Sequence, residues 1–334
     1  MLIHSWLWSQ EVALQTTAEL KADGNGRSYF CVPGIDNQSR SRGVEIFYNV
    51  ASGGVIQRRG DSEDQRKLAQ MESTENISFK LYIPLLLKRD FKILLGYAYQ
   101  PERFRYGNLS NELQPLVANF QGQLLKSNSY SVLTTKSLDH DNYIAFRAKV
   151  AFNGDYKTWM NFDQRYMTMN AIGLYGIKKN ADFEWGVGVY FSKNMRRTLV
   201  LPFAMMHKNF NDKWGIELAP PAYVYGRYNI NPKSILLFGS EFNSRIYSID
   251  TQRLTASSNV PNEYTMNHQE VSAMVSLERQ LMPWVWLNIK GGYQFNIGSR
   301  FEPSAANDPE LRVKLPQAPF FQMGIFLSPP DHMK

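Results

Sequence analysis

From about residue 43 onward, apolar and polar side chains alternate with a period of two. In 76–88, Ile77, Phe79, Leu81, Ile83, Leu85 and Leu87 share one face; Ser78, Lys80, Tyr82 and Lys88 share the other, with Pro84 and Leu86 out of phase. In 144–153, Ile144, Phe146, Ala148, Val150 and Phe152 oppose Ala145, Arg147, Lys149, Ala151 and Asn153. In 183–192, Phe183, Trp185, Val187, Val189 and Phe191 oppose Glu184, Gly186, Gly188, Tyr190 and Ser192. The segment 284–297 sets Val285, Leu287, Ile289, Gly291, Tyr293, Phe295 and Ile297 against Asn288, Lys290, Gln294 and Asn296. Weaker copies recur at 43–50, 91–100, 124–136, 166–177, 198–208, 234–246, 270–279 and 319–327. Successive strand residues point to opposite sides, so this period predicts strands, and no window shows a helical repeat of comparable strength. The chain reads as all-β.

The connections alternate in length. Short ones fall at Arg89-Asp90, Asp139–Asn142, Lys179–Asp182, Asn211-Asp212, Asn231-Pro232 and Met282-Pro283, with the Asn, Asp and Pro that suit tight turns. Long ones fall at 51–74, 101–122, 154–164, 249–266 and 298–317. Such alternation is the habit of bacterial barrels, with turns on the periplasmic side and loops outside. Trp214–Ile230 decides the strand number. A tight turn at Ala219-Pro220-Pro221 gives about fourteen strands; one long bulged strand gives twelve or thirteen. Even numbers favour a closed antiparallel transmembrane β-barrel of about 12–14 strands.

A sandwich would also alternate, so the content of the faces has to separate the two. The polar faces mix charge with glycine and tyrosine, as in Tyr223-x-Tyr225-x-Arg227 and Glu241-x-Asn243-x-Arg245, which suits a confined lumen. Tyr143, Trp159, Trp185, Trp214, Trp284 and Trp286 lie near strand ends, where interfacial girdles sit. A secreted soluble β-sandwich, with these rings in a dry core, is the alternative. Mean hydropathy is −0.38, which is neutral between the two because only every second residue of a barrel strand meets lipid. The densest apolar run, Tyr82–Leu87, is far too short for a spanning helix.

The stretch 209–230, with Asn211-Asp212-Lys213-Trp214-Gly215 and its downstream prolines, resembles an uncharacterised family of outer-membrane β-barrels carried mainly by Bacteroidetes. Ile177–Gly188, Arg165-Tyr166 and the Gly-Asp-Tyr at 154–156 are similar to the same family, over about 43–328. Ala219-Pro220-Pro221-Ala222 stands where a leucine before a single proline is expected, which leaves the local turn open. The resemblance implies an outer-membrane location and carries no assigned activity or site.

The remaining features narrow the chemistry. The first residues end in an apolar stretch and Ser9, as a signal peptide does, so 1–9 is expected to be its remnant, with Gln10 as a mature start. Residues 10–42 are then an N-terminal extension or plug, 43–328 the barrel and 329–334 a C-terminal tail. The net charge of +7 is scattered, with isolated doublets at Arg58-Arg59, Lys178-Lys179 and Arg196-Arg197, so no nucleic acid is expected. The lone Cys31 excludes a disulfide framework. His4, His140, His207, His268 and His332 form no metal-binding spacing, and no nucleophile elbow or phosphate loop occurs. No cofactor, metal site or enzyme activity is expected, although His207, placed on the apolar side of 199–207, and His268 are the candidates for a lipid enzyme.

The charged constellation comprises Lys80, Arg147, Lys149, Glu184, Glu217, Arg227, Glu241, Arg245, Glu270, Glu278 and Lys290, all expected to face the lumen. They could line an ion-selective pore or pair across it and close it; so many charges of both signs favour pairing. The expected partners are outer-membrane lipid and the barrel-assembly machinery, with the solute or surface ligand unassigned. A passive channel or small-solute transporter is the first functional expectation, and a structural or surface-interaction barrel the second.

Overall fold

A computed structural model describes residues 30–59, 67–111, 114–117, 124–194, 197–250, 263–303 and 310–329. The expected signal-peptide remnant, most of the expected extension, most of the expected tail, and His4 and His332 lie outside the described residues. In chain order the strands are β1 (Val44–Arg58), β2 (Lys67–Leu87), β3 (Phe91–Gly107), β4 (Leu124–Ser137), β5 (Asn142–Gly154), β6 (Met167–Asn180), β7 (Phe183–Lys193), β8 (Thr198–Asn209), β9 (Trp214–Ala219), β10 (Tyr223–Asn231), β11 (Ser234–Asp250), β12 (Glu263–Gln280), β13 (Val285–Pro303), β14 (Leu311–Lys314) and β15 (Ala318–Leu327). A one-turn helix α1 (Gln114–Val117) and a 3-10 turn at Gln164–Tyr166 complete the elements.

Neighbours from β1 to β13 pair antiparallel in sequence order. β15 then pairs with both β13 and β1, closing a ring of 14 strands. The stretch 214–230 divides at Pro220-Pro221 into β9 and β10, so the even-numbered reading holds. The six short connections all lie at one end, here the turn end. Their asparagines and aspartates act as expected: Asp139 Oδ1 accepts from the amides of Asp141 and Asn142, and Asn211 Oδ1 from those of Lys213 and Trp214. Hydrogen bonds from the Asn142 side chain and from those amides hold the Asp139 carboxyl below its ordinary range.

The strands overrun the segments expected to be loops. β1 and β2 occupy much of 51–74, β3 reaches Gly107, and β13 reaches Pro303. These ladders form a second structure above the first. Strands β6 to β10 are short, and the β8–β9 ladder covers only Met206–Asn209. The β10–β11 ladder ends at Tyr223↔Glu241. Beyond that point β11 leans across the opening and meets β5 in a parallel bridge, Ser248↔Gly154. Taken with β14, which links β13 to β1, strands β11, β12, β13, β14, β1, β2, β3, β4 and β5 make a narrower loop-end ring. Gly154 is needed at the crossing, because a Cβ there would lie 2.3 Å from the Tyr166 ring and 2.5 Å from the Ser248 carbonyl.

The outer face is apolar. Leu85 is 64% exposed, Val200 59%, Val275 54% and Val189 52%. In water such a band would be an aggregation surface; on a closed barrel it is the lipid contact. The chain is an outer-membrane β-barrel, not a sandwich with two sheets over a shared core. Trp159, Trp214 and Trp284 are exposed, as girdle residues are. Tyr143 and Trp286 instead point inward and are buried, because they fall in phase with the inner faces of β5 and β13. The phase of β8 is also opposite to expectation. Val200 is exposed, whereas Met205 and His207 are buried inside, so its inner face is apolar as well as its outer one.

Candidate functional site

The lumen is built in three tiers, described from the turn end. Residues 31–42 run along the inside of the turn end, past one hairpin after another. The Cys31 amide donates to the Asp139 carbonyl and to Ser137 Oγ. Lys178 Nζ reaches the Val32 carbonyl, and the Gly34 amide donates to the Glu184 carboxylate. The Asp36 amide binds Ala181 O, and the Ser39 amide donates to Glu217 Oε1 at 2.8 Å. Arg40 donates to the Pro232 carbonyl and lies 5.0 Å above the Trp286 ring. Arg42 then binds Glu278 at 2.6 Å and Glu45 at 3.2 Å. A dozen extended residues can reach about 40 Å, enough to cross the mouth of a barrel. Burial pushes the Cys31 thiol up to about 12.

Above this strap lies a polar chamber of about 190 Å³. Of the expected lumen residues, Lys80, Glu241, Arg245 and Lys290 border it. Lys80 binds Glu45 at 2.7 Å, and Lys290 binds Glu241 at 2.6 Å, with Tyr225 also donating to Glu241. Arg245 sits between Glu102, in direct contact, and Glu270 at 3.2 Å. Glu184, Glu217 and Arg227 lie nearer the strap. His207 Nδ1 is 3.3 Å from Glu184, and Arg227 pairs with Glu217 at 3.2 Å while donating to Asn209. Arg147 and Lys149 are buried on the inner face of β5. Groups of opposite sign thus meet in pairs, as buried charges must if they are to stay ionised.

The third tier is apolar. Inside the loop-end ring, Ile56, Met71, Phe104, Leu125, Tyr264, Phe301 and their neighbours form a closed core, with Val117 of α1 inserted into it. None of these side chains was anticipated from the sequence as lumen-filling.

The structure adds three charged members that the sequence reading missed. Arg42 and Glu45 precede or open β1, and Glu102 was assigned to a loop that is strand. The inward phase of Glu45 could have been read from the alternation in 43–50; the meeting of Glu102 with Arg245 across the barrel could not. His268 lies between Ser299 Oγ at 2.8 Å and Glu270 Oε2 at 2.9 Å. That sequence of groups is the one nucleophilic enzymes use. Here, however, the adjoining space is about 30 Å³, and the same carboxylate also serves Arg245. Such a volume holds roughly two waters. The group works as a brace between β11, β12 and β13.

Residues 38–325 match the family described as "Domain of unknown function (DUF6268)", and the chain belongs to it. No curated protein matches. Among solved structures, the COG4313 outer membrane channel from Pseudomonas putida F1 is similar at a TM-score of 0.46 and 8% identity, over 89% of this chain and 99% of that one. A FadL homologue from Pseudomonas aeruginosa is similar at 0.38 and 8%, over 90% of this chain and 100% of that one. The TodX monoaromatic hydrocarbon channel is similar at 0.37 and 8%, over 92% and 97%. The barrel assignment here rests on its own ladders and outer face.

Proposed function

We propose that this barrel is a gated conduit for a small polar solute, and that residues 30–42 are its turn-end plug. One observation supports the reading above the rest: a polar chamber of about 190 Å³ lies between a strap held by hydrogen bonds and an apolar core. A purely structural barrel could fill its middle with packed side chains, as this chain does at the loop end. A permanently open pore would not place Arg42, Glu217 and Glu184 in a network that ties a segment across one mouth.

The test is reconstitution of the full chain and of a chain beginning at residue 42. In planar bilayers the full chain, closed by the strap at one end and by the apolar core at the other, is expected to show rare or no conductance steps, and the shortened chain, closed by the core alone, more frequent ones. Proteoliposomes of the full chain should still take up small polar solutes slowly. A steady open conductance in the full chain would contradict the gate; absence of solute uptake by both chains, in correctly folded preparations, would contradict the conduit.

A further inference from the structure

Resting on that reading, we infer that the chamber selects an uncharged, polyhydroxylated solute of monosaccharide size. The charges on its wall already have partners: Lys80 and Arg42 with Glu45, Lys290 with Glu241, Arg245 with Glu102 and Glu270. An anion or cation entering the chamber would compete with one member of a pair and strand the other, which is costly away from bulk water. A neutral solute leaves every pair intact.

The uncharged part of the wall supplies what hydroxyl groups need. Asn49, Asn76, Gln100, Asn243, Gln294 and Gln322 bring carboxamides to the chamber. A carboxamide carries both a donor and an acceptor, so it can serve a hydroxyl in either sense. Among the described residues three buried atoms on this wall have no hydrogen-bond partner, Ser244 Oγ, Asn49 Oδ1 and Arg42 Nε, and Ser244 is only 1% exposed. Buried polar atoms without partners are rare and point to a group that completes them. Phe47, Phe320 and Tyr225 add ring surface to the same wall, suited to the C–H faces of a sugar ring. A space of about 190 Å³ holds roughly a dozen water-sized positions, and a hexose has about that many non-hydrogen atoms.

Calorimetric titration of the detergent-solubilised full chain tests this. The probes are D-glucose, D-galactose and D-mannose, against gluconate and glucosamine as charged molecules of equal size. At least one neutral hexose is expected to bind saturably, and both charged analogues at least about tenfold more weakly. Ser244→Ala, which removes one hydroxyl and no bulk, should weaken hexose binding roughly three- to tenfold, the worth of one neutral hydrogen bond. Its gel mobility before and after boiling should match the parent. Gluconate or glucosamine binding as well as hexose, no saturable binding of any hexose, or an unchanged affinity in Ser244→Ala would each overturn the inference. Conduction is read separately, by swelling of proteoliposomes in the same sugars. Binding without swelling would reject the conduit and leave the chamber's selectivity standing; swelling that favours gluconate would reject the selectivity alone.

Discussion

The two ends of this barrel solve one problem, filling a ring of strands, by opposite chemistry. Toward the turn end the full ring is wide, and its middle holds paired charges, amides and a strap. Toward the loop end five strands drop out, β11 crosses to β5, and the narrower ring packs an apolar core. Width explains the difference. A ring of few strands is filled by its own side chains, whereas a wider one leaves room that must be occupied by chain, water or solute. The loop end therefore resembles a small globular core standing on a polar vestibule. On the proposed reading the division also assigns the work: rigidity above, exchange of partners below.

The comparison breaks most severely where a filled position is emptied or a buried charge is stranded. Phe104→Ala should cost about 3–5 kcal/mol, because Phe104 is 2% exposed within the loop-end core. Glu217→Leu should cost about as much, roughly 3–5 kcal/mol, by leaving the fully buried Arg227 without its carboxylate. The two losses separate in their rescue. Adding Arg227→Met to Glu217→Leu removes the stranded cation and should recover most of the loss. About 1–3 kcal/mol should remain from the Ser39 amide that Glu217 had accepted. Urea titration of the refolded barrel in detergent, followed by the shift in gel mobility on boiling, gives the values. Equal stability of the single and double variants would show that charge pairing is not what holds the turn end.

A smaller effect probes the boundary between the ends. Gly154→Val places a branched side chain against the Tyr166 ring and the Ser248 carbonyl. Overpacking of this kind costs about 1–3 kcal/mol. It should act locally, so trypsin is expected to cut the loop-end part of β11, after Arg245, while the turn-end ring stays protected. Uniform loss of protection, or none, would mean that the narrow ring is not a separate unit.

Much of this division could be read from sequence at one end and little at the other. The alternation located the ring, its six turns and the outward set, because lipid on one side and a lumen on the other impose a strict period of two. The same alternation misplaced the ends of β1, β2, β3 and β13. On β2 and β3 the loop-end outer face carries Glu75, Arg103 and Arg105, which pair where water replaces lipid and the apolar signal disappears. It also inverted β8, since Leu201, Phe203 and Met205 fill the lumen side while Val200 and Ala204 meet lipid; two apolar faces leave no phase to read. The pairing of Glu102 with Arg245, and of Arg42 with Glu278, joins residues more than 140 positions apart. Only ring closure brings them together, and no local pattern encodes it.

The slightest perturbation concerns the strap itself, through a residue that contributes little to stability. Cys31 is buried against Ser137 and the Asp139 turn, and its thiol is pushed from 9.0 up to about 12. Near pH 8 the reactive thiolate is then about a thousandfold scarcer than for an ordinary cysteine, since only the thiolate attacks. Maleimide should therefore leave Cys31 unmodified in the folded barrel over times that modify a free thiol completely. It should modify Cys31 at once after boiling in detergent. Slow labelling that speeds up when a bound solute is present would report the strap lifting from Glu184 and Glu217, at the same turns that hold it closed. Labelling of the resting protein at the rate of a free thiol would mean that the strap is not seated. The turn end would then be an open mouth, and the contrast with the packed loop end would be one of filled against empty.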